Sequence, residues 1–482
     1  MSSFEKYLSR NPIALRINGE SISSSEVSDV VSPYSGAVVG RTHLATTSDI
    51  DVAVAAAKKS LSHTVPVHVR AEILDRAAEQ IKQHREDFAC IIASEAAKPI
   101  KTARIEVDRA IQTFLFSASA ARTFVGEVVN LDAHPSGENK TAYTLRSPIG
   151  VVAAISPFNF PLNLVAHKVA PAIAAGCPVV LKPAHNTPLS SAALVDLLID
   201  ECGLPAEMLS YVPCPGDVAQ RLSEHEDVAM ISFTGSPGVG WSIRAAAPKK
   251  KVALELGNNA PVIVCADADL EKVSSSVAAS GYSFQGQSCI SVQRVYVHES
   301  VHDAFVAATK KKVEALVVGD PLDDSTDVSA LISSNETGRV STWVEDALSQ
   351  GAQLITGGSL DDNGVLLPTL LSGATDDMDV CRKEVFGPVV SVLTFTDLDD
   401  ALARANDSSY GLQASIFTSN IADALKAARQ LNFGGVLINE TPTYRADNMP
   451  YGGLRDSGNT REGPAYTIRE MTEEKLVIIN ES

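Results

Sequence analysis

Cys289 ends the segment Phe284-Gln285-Gly286-Gln287-Ser288-Cys289, and Glu255 stands 34 residues upstream in Leu254-Glu255-Leu256-Gly257. The pairing offers a thiol nucleophile on a glycine-containing loop and a carboxylate able to take its proton. The thiolate is the reactive form, and a free cysteine is mostly protonated at neutral pH. A cysteine set beside a base and backbone N–H donors suits attack on a carbonyl carbon. Spacing alone does not make the case. Any long chain has Cys and Glu residues to pair, and a cysteine taken singly is more often a small buried apolar residue.

A second stretch able to do chemistry is Gly235-Ser236-Pro237-Gly238-Val239-Gly240, between the apolar run Val228–Phe233 and an amphipathic segment. Glycines at a strand-to-helix turn let the backbone approach a diphosphate, and the helix N-terminus adds N–H donors and positive potential. The spacing is not GxGxxG, so an ordinary βα turn stands as the alternative. Lys182 directly follows Val179-Val180-Leu181, at the end of a buried strand, where open sheets bind ligands.

These residues need a frame. Helical periodicity predicts helices over 49–61, 67–94 and 103–125. Residues 128–146 turn polar around a strand-like 141–145, which reads as an exposed loop or as an arm that pairs with another subunit. From Gly150, strands at 151–155, 178–182, 208–213 and 230–234 alternate with helices at 162–175, 187–202, 217–224 and 238–247. That alternation implies a parallel sheet covered on both faces. A second alternating region has strands at 260–265, 294–297, 354–356, 389–395, 414–418 and 435–439, and a last strand covers 474–480.

At 482 residues the chain exceeds a single core, so two or three domains are expected. Apolar content of 45% and charged content of 20% are those of an ordinary globular protein. A net charge of −18 argues against nucleic acid or an anionic membrane as partner. No stretch approaches the roughly 18 uncharged apolar residues that span a bilayer. The polar opening Met1–Tyr7 gives no sign of secretion. Seven scattered cysteines without a CxxC pair fit neither a zinc site nor a disulfide framework, so no metal and a reducing cytoplasm are expected.

Beside the Cys and Glu segments stand Ile155-Ser156-Pro157-Phe158-Asn159-Phe160-Pro161, Leu181-Lys182-Pro183-Ala184, Phe233-Thr234-Gly235-Ser236, Glu384-Val385-Phe386-Gly387-Pro388 and Pro450-Tyr451-Gly452-Gly453. In this order and at these separations the set closely resembles the NAD(P)-dependent aldehyde dehydrogenase superfamily, from about residue 10 to the C-terminus. The resemblance implies an α/β fold. A Rossmann-like NAD(P)-binding domain would comprise 1–125 and 147–256, an α/β catalytic domain 257–453, and a small β oligomerisation arm 126–146 and 466–482. A homodimer or homotetramer is the expected assembly.

By resemblance, Cys289 attacks an aldehyde, and the Asn159 amide and the Cys289 N–H hold the alkoxide. The nicotinamide takes the hydride, leaving a thioester, and Glu255 activates water to hydrolyse it. Lys168, nine residues after Asn159, supports the site, with a helix-surface lysine as the alternative. The same resemblance places Gly235, Ser236 and Gly240 at the cofactor diphosphate and Lys182 at the adenine ribose. Glu384 falls at the nicotinamide ribose and Phe386 beside the nicotinamide, with Ser156, Phe158, Ala184 and Leu256 also around the cofactor. His185 stands where many NAD-specific members carry Glu; this removes a repulsion against a 2′-phosphate and slightly favours NADP over NAD. Asn258 replaces a second Gly common after Glu255, which leaves the local loop less defined.

Arg122 and Arg445 fall where members acting on anionic aldehydes carry substrate arginines, and a guanidinium fork matches a carboxylate or phosphate. The chain is most similar to the lactaldehyde, succinate-semialdehyde and non-phosphorylating glyceraldehyde-3-phosphate dehydrogenases. Phe160 in place of a phosphate-binding Tyr, and Ser288 in place of an Arg, count against the phosphorylated substrate. The expectation is oxidation of a small polar or carboxylate-bearing aldehyde, succinate semialdehyde ahead of lactaldehyde. The alternatives are glyceraldehyde 3-phosphate, a CoA-acylating enzyme, which an intact Glu255 disfavours, and a catalytically silent relative, which the complete Cys289, Glu255 and Asn159 set disfavours.

Overall fold

The computed structural model describes residues 4–9 and 11–481. Met1–Ser3, Arg10 and Ser482, which fall in the expected cofactor domain and arm, lie outside the described residues. A seven-stranded sheet runs in the order Lys251–Glu255, Val228–Thr234, Val151–Ile155, Val179–Lys182, Leu209–Tyr211, Leu15–Ile17, Glu20–Ile22. Its first five strands are parallel, and Leu15–Ile17 pairs antiparallel with both of its neighbours. Every residue of Val151–Ile155 is buried, as expected of a near-continuous apolar run covered by helices on both faces.

A second seven-stranded sheet has the order Gln353–Thr356, Thr369–Ser372, Val389–Phe395, Val292–His298, Ala260–Val264, Gln413–Phe417, Gly435–Ile438. Only its Gln353–Thr356 edge is antiparallel. Three-stranded sheets complete the molecule, one of them formed by Thr472–Asn480, Lys140–Pro148 and Val128–Val129.

The local differences from expectation have physical causes. One long helix was expected over 67–94; the structure has two, Val67–Gln83 and Arg85–Ala96. His84 leaves helical geometry at ψ 24 and turns its ring onto Asp87 at 3.0 Å. Residues 466–470, expected in the arm, belong instead to the helix Pro464–Glu470, which packs against the Asn163–Ala175 and Ile100–Thr123 helices. Proline at the first helical position starts that helix, and buried Ile468 holds it down. Among the described residues no helix is long and apolar enough to cross a membrane.

The topology dictates where chemistry can occur. Ile155, Lys182, Thr234 and Glu255 are the carboxyl ends of four neighbouring parallel strands, the edge at which open α/β sheets receive ligands.

Candidate active site

A cleft of about 770 Å³ opens at that edge and continues to Cys289 and to Glu384 and Phe386. Ser156, Phe158, Lys182, Ala184, His185, Gly235, Ser236 and Leu256 line it as well. Gly240 does not. It is buried one turn into the Pro237–Ala246 helix, where a Cβ would meet Leu256 Cδ2 at 2.5 Å. It therefore serves close packing of that helix rather than the cleft wall.

The lining fits a dinucleotide. The N-terminus of a ten-residue helix faces the cleft at Ser236 and Pro237, a donor-rich end suited to a diphosphate. Ser156 Oγ is buried with no hydrogen-bond partner among the described residues. Across the cleft the Glu384 carboxylate accepts from the Asn258 N–H at 2.9 Å, and burial raises its pKa to about 7. Gly257 is required there, since a Cβ would stand 2.2 Å from Glu384 Oε2. Asn258 is itself anchored: its side chain donates to Gln413 O at 3.2 Å and accepts from Leu412 N at 3.3 Å. The loop after Glu255 is thus held by the asparagine that stands in place of a glycine.

Cys289 follows an unusual backbone. Phe284, Gln285 and Gly286 take φ of 47, 55 and 69 in succession, and left-handed geometry costs about 1–2 kcal/mol per non-glycine residue. Gly286 is obligatory, because a Cβ would meet Gly387 O at 2.1 Å. Contacts on three sides hold the turn: Gln285 Nε2 donates to Ala97 O at 2.9 Å, Ile332 N to Gln287 Oε1 at 2.9 Å, and Asn159 Nδ2 to Gln287 O at 2.9 Å. Asn159 therefore sits against the nucleophile loop with one amide hydrogen used and the other free to serve an oxyanion. Ser288 Oγ accepts from Ile290 N at 3.4 Å, a contact within the turn.

Burial pushes the Cys289 thiol up to about 12, partly offset by the hydroxyl of Tyr451, 2.9 Å from Sγ. Glu255 is buried, both carboxylate oxygens lack hydrogen-bond partners among the described residues, and burial and then the charge of Glu462 raise its pKa well above 4.5. Gly452 lets the backbone close over it, since a Cβ there would stand 2.9 Å from Glu255 Oε1. Lys168 is no surface lysine. It is 1% exposed, donates to Thr234 Oγ1 at 2.6 Å, and lies 4.0 Å from Glu462 Oε1. Burial lowers its pKa, while Glu462 and Glu255 act to raise it.

The two expected substrate arginines part company. Arg445 is buried, stacks over the Tyr451 ring at 3.8 Å and donates to Glu462 at 2.6 Å. Arg122 is half-exposed on the last turn of the Ile100–Thr123 helix and pairs with Asp75 at 2.5 Å, so it is removed from the site. Another arginine of this helix, Arg109, lies about 20 Å back along the axis at 1.5 Å per residue, beside the residue that follows Asn159. It lies 6.0 Å from the Phe160 ring and forks onto Asp447 at 2.8 and 3.1 Å. Asp447 also meets His167 Nε2 at 2.9 Å, which lies 3.2 Å from Arg445. Although burial opposes it, His167 and Arg109 hold Asp447 well below the usual carboxylate range, and His167 and Arg445 hold Glu462 at about 2.

Sequence reasoning missed Arg109, His167, Tyr451, Asp447 and Glu462. Tyr451 stood in a motif already singled out, and Asp447 lies two residues from Arg445. Nothing in the spacing separates Arg109 from the other arginines of its helix.

The sequence model of the Aldehyde dehydrogenase family matches residues 21–477. A protein of Priestia megaterium named 3-sulfolactaldehyde dehydrogenase is 45% identical over 467 residues, covering 97% of this chain and 98% of that protein. The crystal structure of aldehyde dehydrogenase 21 from Physcomitrella patens, in complex with the reaction product succinate, superposes with a TM-score of 0.94 at 35% identity, covering 98% of this chain and 99% of that one. Glyceraldehyde-3-phosphate dehydrogenase GapN from Methanocaldococcus jannaschii, complexed with NADP, gives 0.91 at 38% identity over 95% of this chain and 100% of that one.

Proposed function

The chain belongs to the aldehyde dehydrogenase family, and from that premise we propose that it oxidises a small aldehyde carrying an anionic group, with NADP accepted alongside NAD. The observation that carries the reading is the stack of the Arg445 guanidinium on the Tyr451 ring, whose hydroxyl touches Cys289 Sγ. A fixed cation stands one aromatic ring from the nucleophile. Arg109 pairs with Asp447 and Arg445 with Glu462, so two guanidinium groups are held by buried carboxylates at this end of the site. Guanidinium forks held near the nucleophile support a substrate bearing a sulfonate or carboxylate. The likeness to a protein named 3-sulfolactaldehyde dehydrogenase supports a three-carbon sulfonate as the first choice, and the succinate complex of the Physcomitrella patens enzyme supports succinate semialdehyde as the second.

Burial makes two negative charges at Cys289 and Glu255 expensive together. One charge is therefore shared between them: thiol with carboxylate, or thiolate with carboxylic acid. Passing the thiol proton to Glu255 arms Cys289 for attack on the aldehyde carbon, and Lys168 and Arg445 compensate the charge in either form. The free amide hydrogen of Asn159 and the Cys289 N–H serve the developing alkoxide. The nicotinamide, when bound, supplies the acceptor for the two electrons that turn the thiohemiacetal into a thioester. Glu255 first releases the thiol's proton to solvent. As the carboxylate it then takes a proton from water as the water attacks the thioester, and that proton passes to the leaving thiolate, releasing the acid and the free thiol.

At the adenosine end, Lys182, Ala184, His185 and Asn186 line the cleft without a carboxylate, which supports acceptance of a 2′-phosphate. Exposed Leu476, Ile478 and Ile479 on the arm strand Thr472–Asn480 support assembly of like subunits, and seven free cysteines support a reducing compartment.

The test is a kinetic panel of 3-sulfolactaldehyde, lactaldehyde, succinate semialdehyde, glyceraldehyde 3-phosphate and propanal, each with NAD and with NADP. The sulfonate or carboxylate aldehydes are expected to lead in kcat/KM. Equal turnover of propanal would overturn the anionic assignment while leaving the dehydrogenase chemistry in place.

A further inference from the structure

Lys98 and Glu106 form an ion pair in which both side chains are fully buried. Neither belongs to the chemistry derived above, yet between them they touch the segment after Asn159 and the turn that leads to Cys289. The Lys98 ammonium lies 3.7 Å from the Phe160 ring centroid and 4.3 Å from that of Phe284. The two rings meet edge to face at 6.2 Å, so the cation clamps the residue after Asn159 to the first left-handed residue of the nucleophile turn. Glu106, bound to Lys98 through Oε2, accepts through Oε1 from Leu162 N at 2.9 Å and Asn163 N at 3.1 Å. It thereby caps the helix that follows Asn159 and carries Lys168. One residue before Lys98, the Ala97 carbonyl accepts from Gln285 Nε2 at 2.9 Å.

We propose that Lys98 and Glu106 are positioning residues for the oxyanion cradle. Their ion pair sets the Asn159 segment and the Phe284–Cys289 turn in register, so that the side-chain amide and the cysteine N–H converge on one point. A buried ion pair is weak evidence for stability, because desolvation offsets the attraction. Here the pair bridges two segments that have no regular hydrogen-bond ladder between them, and one of them holds a backbone that does not relax there by itself. An ammonium suits this role because it binds the faces of two aromatic rings at once, whereas an apolar side chain fills space without fixing ring orientation.

The inference rests on the reading that Asn159 serves the alkoxide, so Asn159→Ala is measured in parallel. Lys98→Met leaves Glu106 unpaired in the interior and risks the fold, so the principal variant is Lys98→Met with Glu106→Gln, which removes both charges at nearly constant volume. In this double variant, thermal unfolding, NADP binding and Cys289 alkylation by iodoacetamide are expected to stay close to the parent, since none uses the oxyanion cradle. Aldehyde kcat is expected to fall about 100-fold with KM little changed, as for misplacement of donors by about 1 Å. A folded double variant with parental kcat would overturn the proposal, as would loss of fold or of alkylation and kcat together, which would make the pair a general structural element. Parental kcat in Asn159→Ala would instead overturn the oxyanion reading on which it rests.

Discussion

Tyr451 and Cys289, 162 residues apart in sequence, meet through a 2.9 Å contact between hydroxyl and sulfur. Burial and the neighbouring thiol raise the Tyr451 pKa well above 10, so the proton stays on oxygen and the hydroxyl is a donor to the thiolate. Hydrogen bonds to charged groups contribute about 1.5–3 kcal/mol, equivalent to roughly one to two pKa units. Tyr451→Phe should therefore move the pH profile of Cys289 alkylation upward by about one unit. Superimposable profiles would show that the contact does not stabilise the thiolate.

Cys289→Ala should abolish aldehyde oxidation and keep dinucleotide binding, while Glu255→Gln should accumulate the thioester, detectable by mass spectrometry of the quenched enzyme. Normal steady-state turnover in Glu255→Gln would remove Glu255 from deacylation.

The same carboxylate carries a stability signature. Its folded pKa lies well above the ordinary 4.5, so the folded state holds a proton that the unfolded state releases. Stability falls as pH rises from the unfolded pKa through the folded one. Glu255→Gln should remove that loss, raising the Tm at pH 8 relative to the parent more than at pH 5. A constant difference across this range would contradict the burial assigned to Glu255.

Arg109→Met should raise KM for an anionic aldehyde about ten- to a hundredfold and leave an uncharged aldehyde little affected. Arg122→Ala should change neither, because its partner Asp75 lies with it on an exposed surface. Losses of equal size for charged and uncharged aldehydes in Arg109→Met would assign Arg109 to structure rather than to recognition.

His185 is shifted toward the neutral imidazole by burial and by Lys182, and Ser28 Oγ lies 3.4 Å from its Nε2. On the proposed placement of His185 beside the adenine ribose, His185→Glu should raise KM for NADP at least about tenfold relative to NAD. An unchanged preference would move the specificity determinant to another residue.

What the sequence determined by itself was whatever depends on local order. The apolar runs of the parallel strands, the turn after Thr234 and the motifs around Cys289 and Glu255 announced an α/β aldehyde dehydrogenase, because strand, turn and loop chemistry are written in consecutive residues. Tertiary structure decided which charges meet. Arg109 and Arg122 lie on one helix with nothing in their spacing to rank them, yet one forks onto Asp447 and the other points to solvent. The sequence left Lys168 between a supporting role and a helix-surface lysine, and its burial removes the second; Gly240, expected at the diphosphate, is packed against Leu256. Electrostatics acts through distances of a few ångströms and the solvent excluded between them. In this chain several of those distances join residues more than a hundred positions apart, as Arg109 with Asp447 and Cys289 with Tyr451, so the pKa values, the pairings and the path an anion would follow exist only in the folded molecule.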